Sequence, residues 1–152
     1  MSVQERDLHL YKSLMTASKI LNDKARTHIK NQGLTFENLL VIECLFEHGP
    51  HYIQTLSEKL MIPSGSITYI VNKLEKKGLV RREIQADNKR FCKAILTDEG
   101  KSVFNEIHPV YTKDISEALA HLSGSEKSAL EDLLNIICEE KTDGGFLHQF
   151  LI

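Results

Sequence analysis

The stretch from residue 53 to residue 97 constrains the fold more than any other part of the chain. It contains two short amphipathic patterns, separated by a Pro-Ser-Gly break at residues 63 to 65. Apolar residues recur three or four positions apart, which indicates helices with one buried face. They are Leu56 and Leu60 in the first pattern, and Ile67, Ile70, Val71 and Leu74 in the second. Pro63 disfavours helix at the residue before it, and we expect Ser64 to be the N-cap of the second helix.

Gly78 follows the second pattern and is suited to a left-handed helix stop. A strand, a charged turn and a second strand then reach to Thr97. We also expect residues 51 to 53 to form a short third strand beside this hairpin. Helix, turn, helix and hairpin in this order predict a winged helix-turn-helix, and the fold class is mainly α (α+β).

The flanking segments have the periodicity of long helices. One is predicted from residue 5 to about residue 30, and a second begins after a Thr35 cap and ends before Gly49. Another helix is expected from residue 98 to about Leu122, with a kink at Pro109. A capping box of Ser123 and Glu126 predicts a last helix that ends near residues 143 to 145.

Composition narrows the class of protein. The chain has 152 residues, 41% of them apolar, which is enough for one domain with its own core. No apolar run approaches the roughly 18 residues of a membrane span, and the first residues are charged. Three widely spaced cysteines give no disulfide framework. We therefore expect a cytoplasmic protein with no membrane partner.

The net charge of −2 conceals an uneven distribution. Residues 73 to 93 contain eight basic and three acidic residues, a local charge of +5, whereas residues 98 to 143 contain four basic and eleven acidic residues. A basic block within a neutral to acidic chain is typical of a surface that meets phosphates. The block coincides with the predicted second helix and hairpin, which favours DNA over a merely solvated charged surface.

The flanking helices predict an assembly of two chains. A winged helix of residues 35 to 97 is too small to cover every apolar stripe on residues 1 to 34 and 98 to 152, and large exposed apolar surfaces are rare on monomers. We expect those two segments to form a dimerisation part. The apolar tail, from Phe146 to Ile152, also favours a homodimer, although packing on its own subunit is an alternative.

Three segments together resemble the MarR family of bacterial transcription regulators. They are residues 64 to 75 (SGSITYIVNKLE), residues 78 to 82 (GLVRR) and residues 96 to 100 (LTDEG). The resemblance covers nearly the whole chain, so residues 1 to 152 are interpreted as a single MarR-type domain. It implies a homodimeric regulator of double-stranded DNA, with residues 64 to 77 in the major groove and the arginine of the wing in a minor groove.

The residues themselves give a candidate DNA surface. Removing the buried positions of the second helix leaves a small, polar face at its N-terminal half, suited to approaching base edges. The candidates on this helix are Ser64, Ser66, Thr68, Tyr69, Asn72 and Lys73. Around the wing the candidates are Arg81, Arg82, Lys89 and Arg90. The family's wing aspartate would support the arginine, but here that position is Asn88. Asp87, one residue earlier, is the candidate support for Arg90 in a differently shaped wing turn.

The signal that controls DNA binding stays open. The resemblance favours release of a repressor from a palindromic operator by a small aromatic, phenolic or quinone-like effector. Cys92 is a candidate redox sensor, since nearby cations favour a reactive thiolate. Metal sensing is a further alternative, but Cys44 and His48 are too few ligands for a site and no metal or other cofactor is expected.

The sequence also bears on two other classes of function. A winged helix that binds a protein in place of DNA is an alternative, which the basic wing disfavours. An enzyme is not expected, because the sequence contains no glycine-rich phosphate loop and no nucleophile motif.

Overall fold

The computed structural model describes residues 1 to 85 and 91 to 139, with side chains through Cys138. The elements, in chain order, are helix α1 (Val3–Asn31), α2 (Phe36–His48), strand β1 (His51–Tyr52), α3 (Ile53–Leu60), α4 (Ser64–Lys76), β2 (Val80–Ile84), β3 (Cys92–Leu96), α5 (Asp98–Ala118) and α6 (Gly124–Glu139). The predicted fold class, mainly helical with a winged helix-turn-helix, is confirmed. The predicted end of the last helix and the apolar tail lie outside the described residues.

The chain divides into two compact units, Met1–Ile115 and Ser116–Ile152. The first contains the helix-turn-helix, the wing strands and most of α5, and the second contains α6. Within the described residues no helix is both long enough and apolar enough to cross a membrane.

The three strands form one antiparallel sheet in the order β1-β3-β2. The register pairs Val80 with Leu96 and Ile84 with Cys92, while His51 pairs with Ala94 on the other side of β3. The expected third strand is therefore confirmed, but it is shorter than predicted, because Ile53 begins α3.

The core of the first unit lies between α2, α3, α4 and the inner face of the sheet. Every apolar position predicted to be inward on α4 is buried, and Leu56 of α3 is completely covered while Leu60 is half-buried. The core also includes Ile29 from α1 and Phe104 and Ile107 from α5. These contacts fix the orientation of α4, so its remaining side chains face outward.

The turn between α3 and α4 differs from the prediction at the start of α4. Met61 adopts a left-handed conformation with φ 53°, and the hydroxyl of the buried Ser57 donates to the carbonyl of Ile62 at 2.6 Å. Pro63 is the N-cap of α4 and Ser64 is its first residue. The predicted Ser64 cap is therefore wrong; proline fixes the extended conformation before the helix, and the Ser64 side chain stays on the surface.

Thr97 joins the end of the wing to the start of α5. Its hydroxyl donates to the carbonyl of Gly78 at 2.6 Å and accepts from the amide of Gly100 at 3.0 Å. The helix that follows contains Pro109 and ends at Ala118, four residues before the predicted end. The capping box before α6 is confirmed, because Ser123 and Glu126 each accept from the other's backbone amide.

Candidate nucleic-acid interface

Helix α4 has a polar outer face, and the apolar residues of its opposite face are buried in the core. Ile67, Val71 and Leu74 are each at most 1% exposed, and Ile70 is 6% exposed. On the opposite side the six residues Ser64, Gly65, Ser66, Thr68, Tyr69 and Asn72 are exposed, and Lys73 is half-buried. The structure thus places all six of the helix candidates on one accessible side, with the smallest residues at the N-terminal end.

The hydroxyl groups on this face are not equivalent. Thr68 Oγ1 donates to the carbonyl of Ser64 at 2.9 Å, so this oxygen is left as an acceptor. Among the described residues, the Ser66 hydroxyl has no hydrogen-bond partner, and it can therefore donate as well as accept. Tyr69 is 70% exposed, which leaves its ring and hydroxyl free to contact a large ligand.

An open cleft of about 640 Å³ runs along α4. One wall is the start of α2 with Thr35, Glu37 and Asn38, and the floor is the α3–α4 turn from Met61 to Pro63. The other wall is α4 itself, including Tyr69 and Lys73. The interface formed by α4 therefore continues onto the first turn of α2.

The two wing arginines in the described strand lie on different faces of the sheet. Arg81 is exposed, and its Nη1 lies 3.9 Å from the Glu83 carboxylate, an exposed pairing of little energy. Arg82 pairs with Ala94 and shares the inner face with Val80, because side chains alternate along a strand. Arg82 is half-buried, and its Nε is buried without a hydrogen-bond partner among the described residues. Arg81 is thus the more accessible of the two.

Tyr52 forms a small cluster at the base of the wing that the sequence analysis missed. Gln85 Nε2 donates to the Tyr52 hydroxyl at 3.2 Å, the Phe91 ring packs edge-on at 5.8 Å, and Lys93 Nζ lies 5.0 Å from the ring centroid. One side chain on β1 therefore contacts the strand ends on both sides of the wing. The sequence feature that could have indicated this cluster is an aromatic residue in a short strand next to the hairpin.

The predictions at the tip of the wing remain predictions. Asp87, Lys89 and Arg90 lie outside the described residues. Cys92, the candidate redox residue, is half-buried at the start of β3, and its thiol lies 3.9 Å from the carbonyl of Lys93.

A second group of polar and aromatic residues lies where α2 meets α5. Phe46 and Phe104 stack with centroids 4.2 Å apart, and His108 lies 4.9 Å from Phe104. Burial, reinforced by the Glu47 charge, raises the pKa of Glu43, and burial raises the pKa of Tyr111. Phe46 is 39% exposed beside these groups, whereas Phe104 is buried.

The candidate metal ligands do not assemble in the described part of the chain. There, no group of three or more histidine, cysteine, aspartate or glutamate side chains is placed to hold an ion. Cys44 is buried, and that burial raises the pKa of its thiol, which disfavours the thiolate that a metal requires.

The fold and the polar face of α4 define a winged helix-turn-helix protein of the DNA-binding class. The MarR family model matches residues 34 to 91. Over 130 residues the chain is 33% identical to the HTH-type transcriptional regulator MhqR of Bacillus subtilis (strain 168), covering 86% of this chain and 90% of that protein. The chain belongs to the MarR family, and it is a DNA-binding transcription regulator, not an enzyme.

Solved structures show the same fold. Sco3205, a MarR family transcriptional regulator from Streptomyces coelicolor solved in complex with DNA, gives a TM-score of 0.84 at 24% identity, over 95% of this chain and 92% of that one. A mutant MarR from E. coli complexed with operator DNA gives 0.80 at 19% identity, over 90% of this chain and 99% of that one.

Proposed function

We propose that this regulator is a homodimeric repressor that binds a roughly palindromic operator in the cytoplasm and is released by a small aromatic effector. The observation that carries the proposal is the outward polar face of α4, held by four buried residues on its other side. A winged-helix protein that binds only another protein has no need of such a face beside a basic hairpin. The DNA contacts are assigned to the α4 candidates, Arg81, Arg82, and the wing residues Lys89 and Arg90 supported by Asp87.

Support for the dimer comes from apolar side chains that a single chain leaves exposed. On α1 the exposed set is Leu8, Leu10, Tyr11, Met15 and Ile20, each more than 50% exposed. On α6 it is Leu130, Leu133, Leu134, Ile136 and Ile137. Exposed apolar residues in this number are rare on monomers, and a second copy of the chain would cover them. Two recognition helices would then lie about 34 Å apart, one turn of DNA.

The α2–α5 aromatic group supports an uncharged ring as effector. Phe46 is 39% exposed, so a ligand ring can stack on it, and His108 offers a polar contact. Glu43 and Glu47 would repel a carboxylate at this position. Burial, and after it the Glu47 charge, raises the pKa of Glu43. A phenol or quinone therefore fits better than an aromatic acid.

The DNA surface can be tested in two steps. Duplexes that bind the wild type are first selected from a pool of genomic fragments. The affinity of the Asn72→Ala variant for a selected duplex is then measured by titration. Loss of a base contact costs about 1 to 3 kcal/mol, so we expect at least about fivefold weaker binding to the selected duplex. Asn105→Ala on the exposed side of α5 is the matched control and should bind like the wild type. Equal affinities for the Asn72 variant and the wild type would exclude α4 as the reading helix.

Sedimentation tests the proposed dimer, and titration with small aromatic compounds tests the proposed effector. A monomer at micromolar concentration would overturn the dimer. Catechol and p-benzoquinone should displace the selected duplex at lower concentration than benzoate. Glu43→Gln should reduce that difference, because it removes a negative charge from the site. Indifference of the complex to all three compounds would contradict an aromatic effector at α2–α5.

A further inference from the structure

Three basic residues outside α4 and the wing come together at the junction of α1 and α2. Arg26 and Lys30 are exposed, one helical turn apart on the last part of α1, and both line a cleft of about 430 Å³ with Leu34, Thr35 and Glu37. Lys77 approaches the same junction from the end of α4, since a Cβ on Gly33 would lie 3.0 Å from its Nζ. We call Arg26, Lys30 and Lys77 the junction cluster.

The junction cluster is continuous with the α4 face. Thr35 and Glu37, which line the junction cleft, also line the cleft that contains Tyr69 and Lys73. The first turn of α2 thus lies between the two clefts and belongs to both. A ligand that follows the α4 face past Lys73 therefore reaches the junction across the first turn of α2.

The charges of this cluster are available to a partner. In residues 1 to 85 and 91 to 139, neither Lys30 nor Lys77 has a carboxylate within ion-pair distance. Asp23, the acidic neighbour of Arg26, pairs with Lys19 at 2.7 Å. Glu37 is the acid that shares the cleft with the cluster. Counts of charge along the chain do not predict this arrangement for Arg26 and Lys30, because residues 1 to 72 contain seven basic and seven acidic residues.

We propose that the junction cluster binds DNA phosphates on the flank of the major groove that α4 enters. This inference rests on the proposed mode of DNA binding by α4. Lysine and arginine contacts to phosphates hold a protein in register but do not read sequence. The cluster therefore adds affinity that is the same for operator and unrelated DNA, and Glu37 opposes it from the wall of the cleft.

The test is a salt titration of the full chain carrying both Arg26→Gln and Lys30→Gln, on the selected duplex and on an unrelated duplex. Each lost phosphate contact lowers the slope of log affinity against log salt by about 0.9. We expect a shallower slope and the same fold-loss of affinity on both duplexes. The control is the chain with Lys12→Gln and Lys24→Gln, the same charge change at exposed positions of α1, and it should keep the wild-type slope.

Two further measurements separate a phosphate contact from a change in folding. Glu37→Gln should tighten binding to both duplexes, the opposite sign to the double variant. On a duplex truncated to the bases beneath α4, the double variant and the wild type should bind equally. Unchanged slopes, or an equal loss on the truncated duplex, would overturn the inference while wild-type DNA binding stands. A wild-type affinity that is independent of salt would instead overturn the proposed mode of DNA binding.

Discussion

Lys93 and Tyr52 face each other across the β1–β3 pairing, with Lys93 Nζ 5.0 Å from the centroid of the Tyr52 ring. Replacement of Tyr52 by leucine removes this cation–π contact and the edge contact with Phe91. We expect a loss of about 1 to 2 kcal/mol in the free energy of unfolding, measured by urea denaturation. Tyr52→Phe keeps the ring and should cost less, about 0.5 to 1 kcal/mol, because it removes only the Gln85 hydrogen bond.

A double-mutant cycle between Tyr52→Phe and Gln85→Leu gives the control for that prediction. Both changes remove the same 3.2 Å hydrogen bond, so their effects on stability should not add. Fully additive effects would show that this hydrogen bond contributes nothing to the wing.

Thr97→Val should destabilise the protein by about 1 to 2 kcal/mol, measured by urea denaturation. The hydroxyl is both the N-cap acceptor of α5 and the donor to the Gly78 carbonyl, and valine has the same shape without either bond. Thr97→Ser retains the hydroxyl and should remain close to the wild type. A valine variant as stable as the wild type would mean that water replaces both bonds without cost.

Gly100→Ala and Gly65→Ala should have opposite effects on stability. A Cβ at Gly100 would collide with the backbone carbonyl of Leu79 and lie 2.6 Å from Leu96 Cδ1, which we expect to cost about 1 to 3 kcal/mol. Gly65 has open space around it, and alanine there should stabilise the helix by about 0.5 to 1 kcal/mol. Gly65→Ala should nevertheless weaken binding to the selected duplex, because in the proposed mode of DNA binding α4 approaches the bases at this point.

Stability should fall as the pH drops below about 6.5, the ordinary pKa of a histidine. His51 Nδ1 donates to the Gly49 carbonyl at 2.7 Å, and its Nε2 accepts from Lys59 at 2.9 Å. Burial, together with the charges of Lys59 and His48, lowers the pKa of His51 in the folded state. The unfolded chain therefore binds the proton first, and protonation favours unfolding.

Urea denaturation at a series of pH values between about 5 and 7 measures this dependence. His51→Gln keeps a donor and an acceptor but does not titrate, so its stability should change less over the same range. Parallel pH profiles for the two proteins would assign the dependence to other groups.

Much of the fold follows from local sequence patterns. Several local predictions are confirmed, because each depends on residues within one helical turn. They are the burial of Leu56 on α3, the four buried positions of α4, the Thr35 cap and the Ser123–Glu126 capping box. The same kind of pattern predicts Ser64 as a cap, but Pro63, in an extended conformation, is the N-cap of α4. The prediction of this N-cap was wrong because the neighbouring residues Pro63 and Ser64 both favour the start of a helix.

Features that depend on distant residues could not be predicted in this way. Tyr52 contacts residues more than thirty positions away, and the Arg82 side chain lies on the inner face because of the β2–β3 register. The left-handed conformation of Met61 could not be predicted either, since methionine has no preference for that conformation. In each case strand pairing or packing decided the position of a side chain that its own neighbours left open.

The sequence by itself determined the order of the elements, the buried side of α4 and the polar residues opposite it. Helical periodicity and capping depend only on residues a few positions apart in the chain. Only the tertiary structure decided which charges share a surface. Arg26 and Lys30 are distant from Lys77 in the chain and lie in a segment of balanced charge, yet the Lys77 ammonium group lies beside Gly33 in the α1–α2 turn, close to the cleft that Arg26 and Lys30 line. Electrostatic potential depends on distances in space, and those distances are set by the packing of helices.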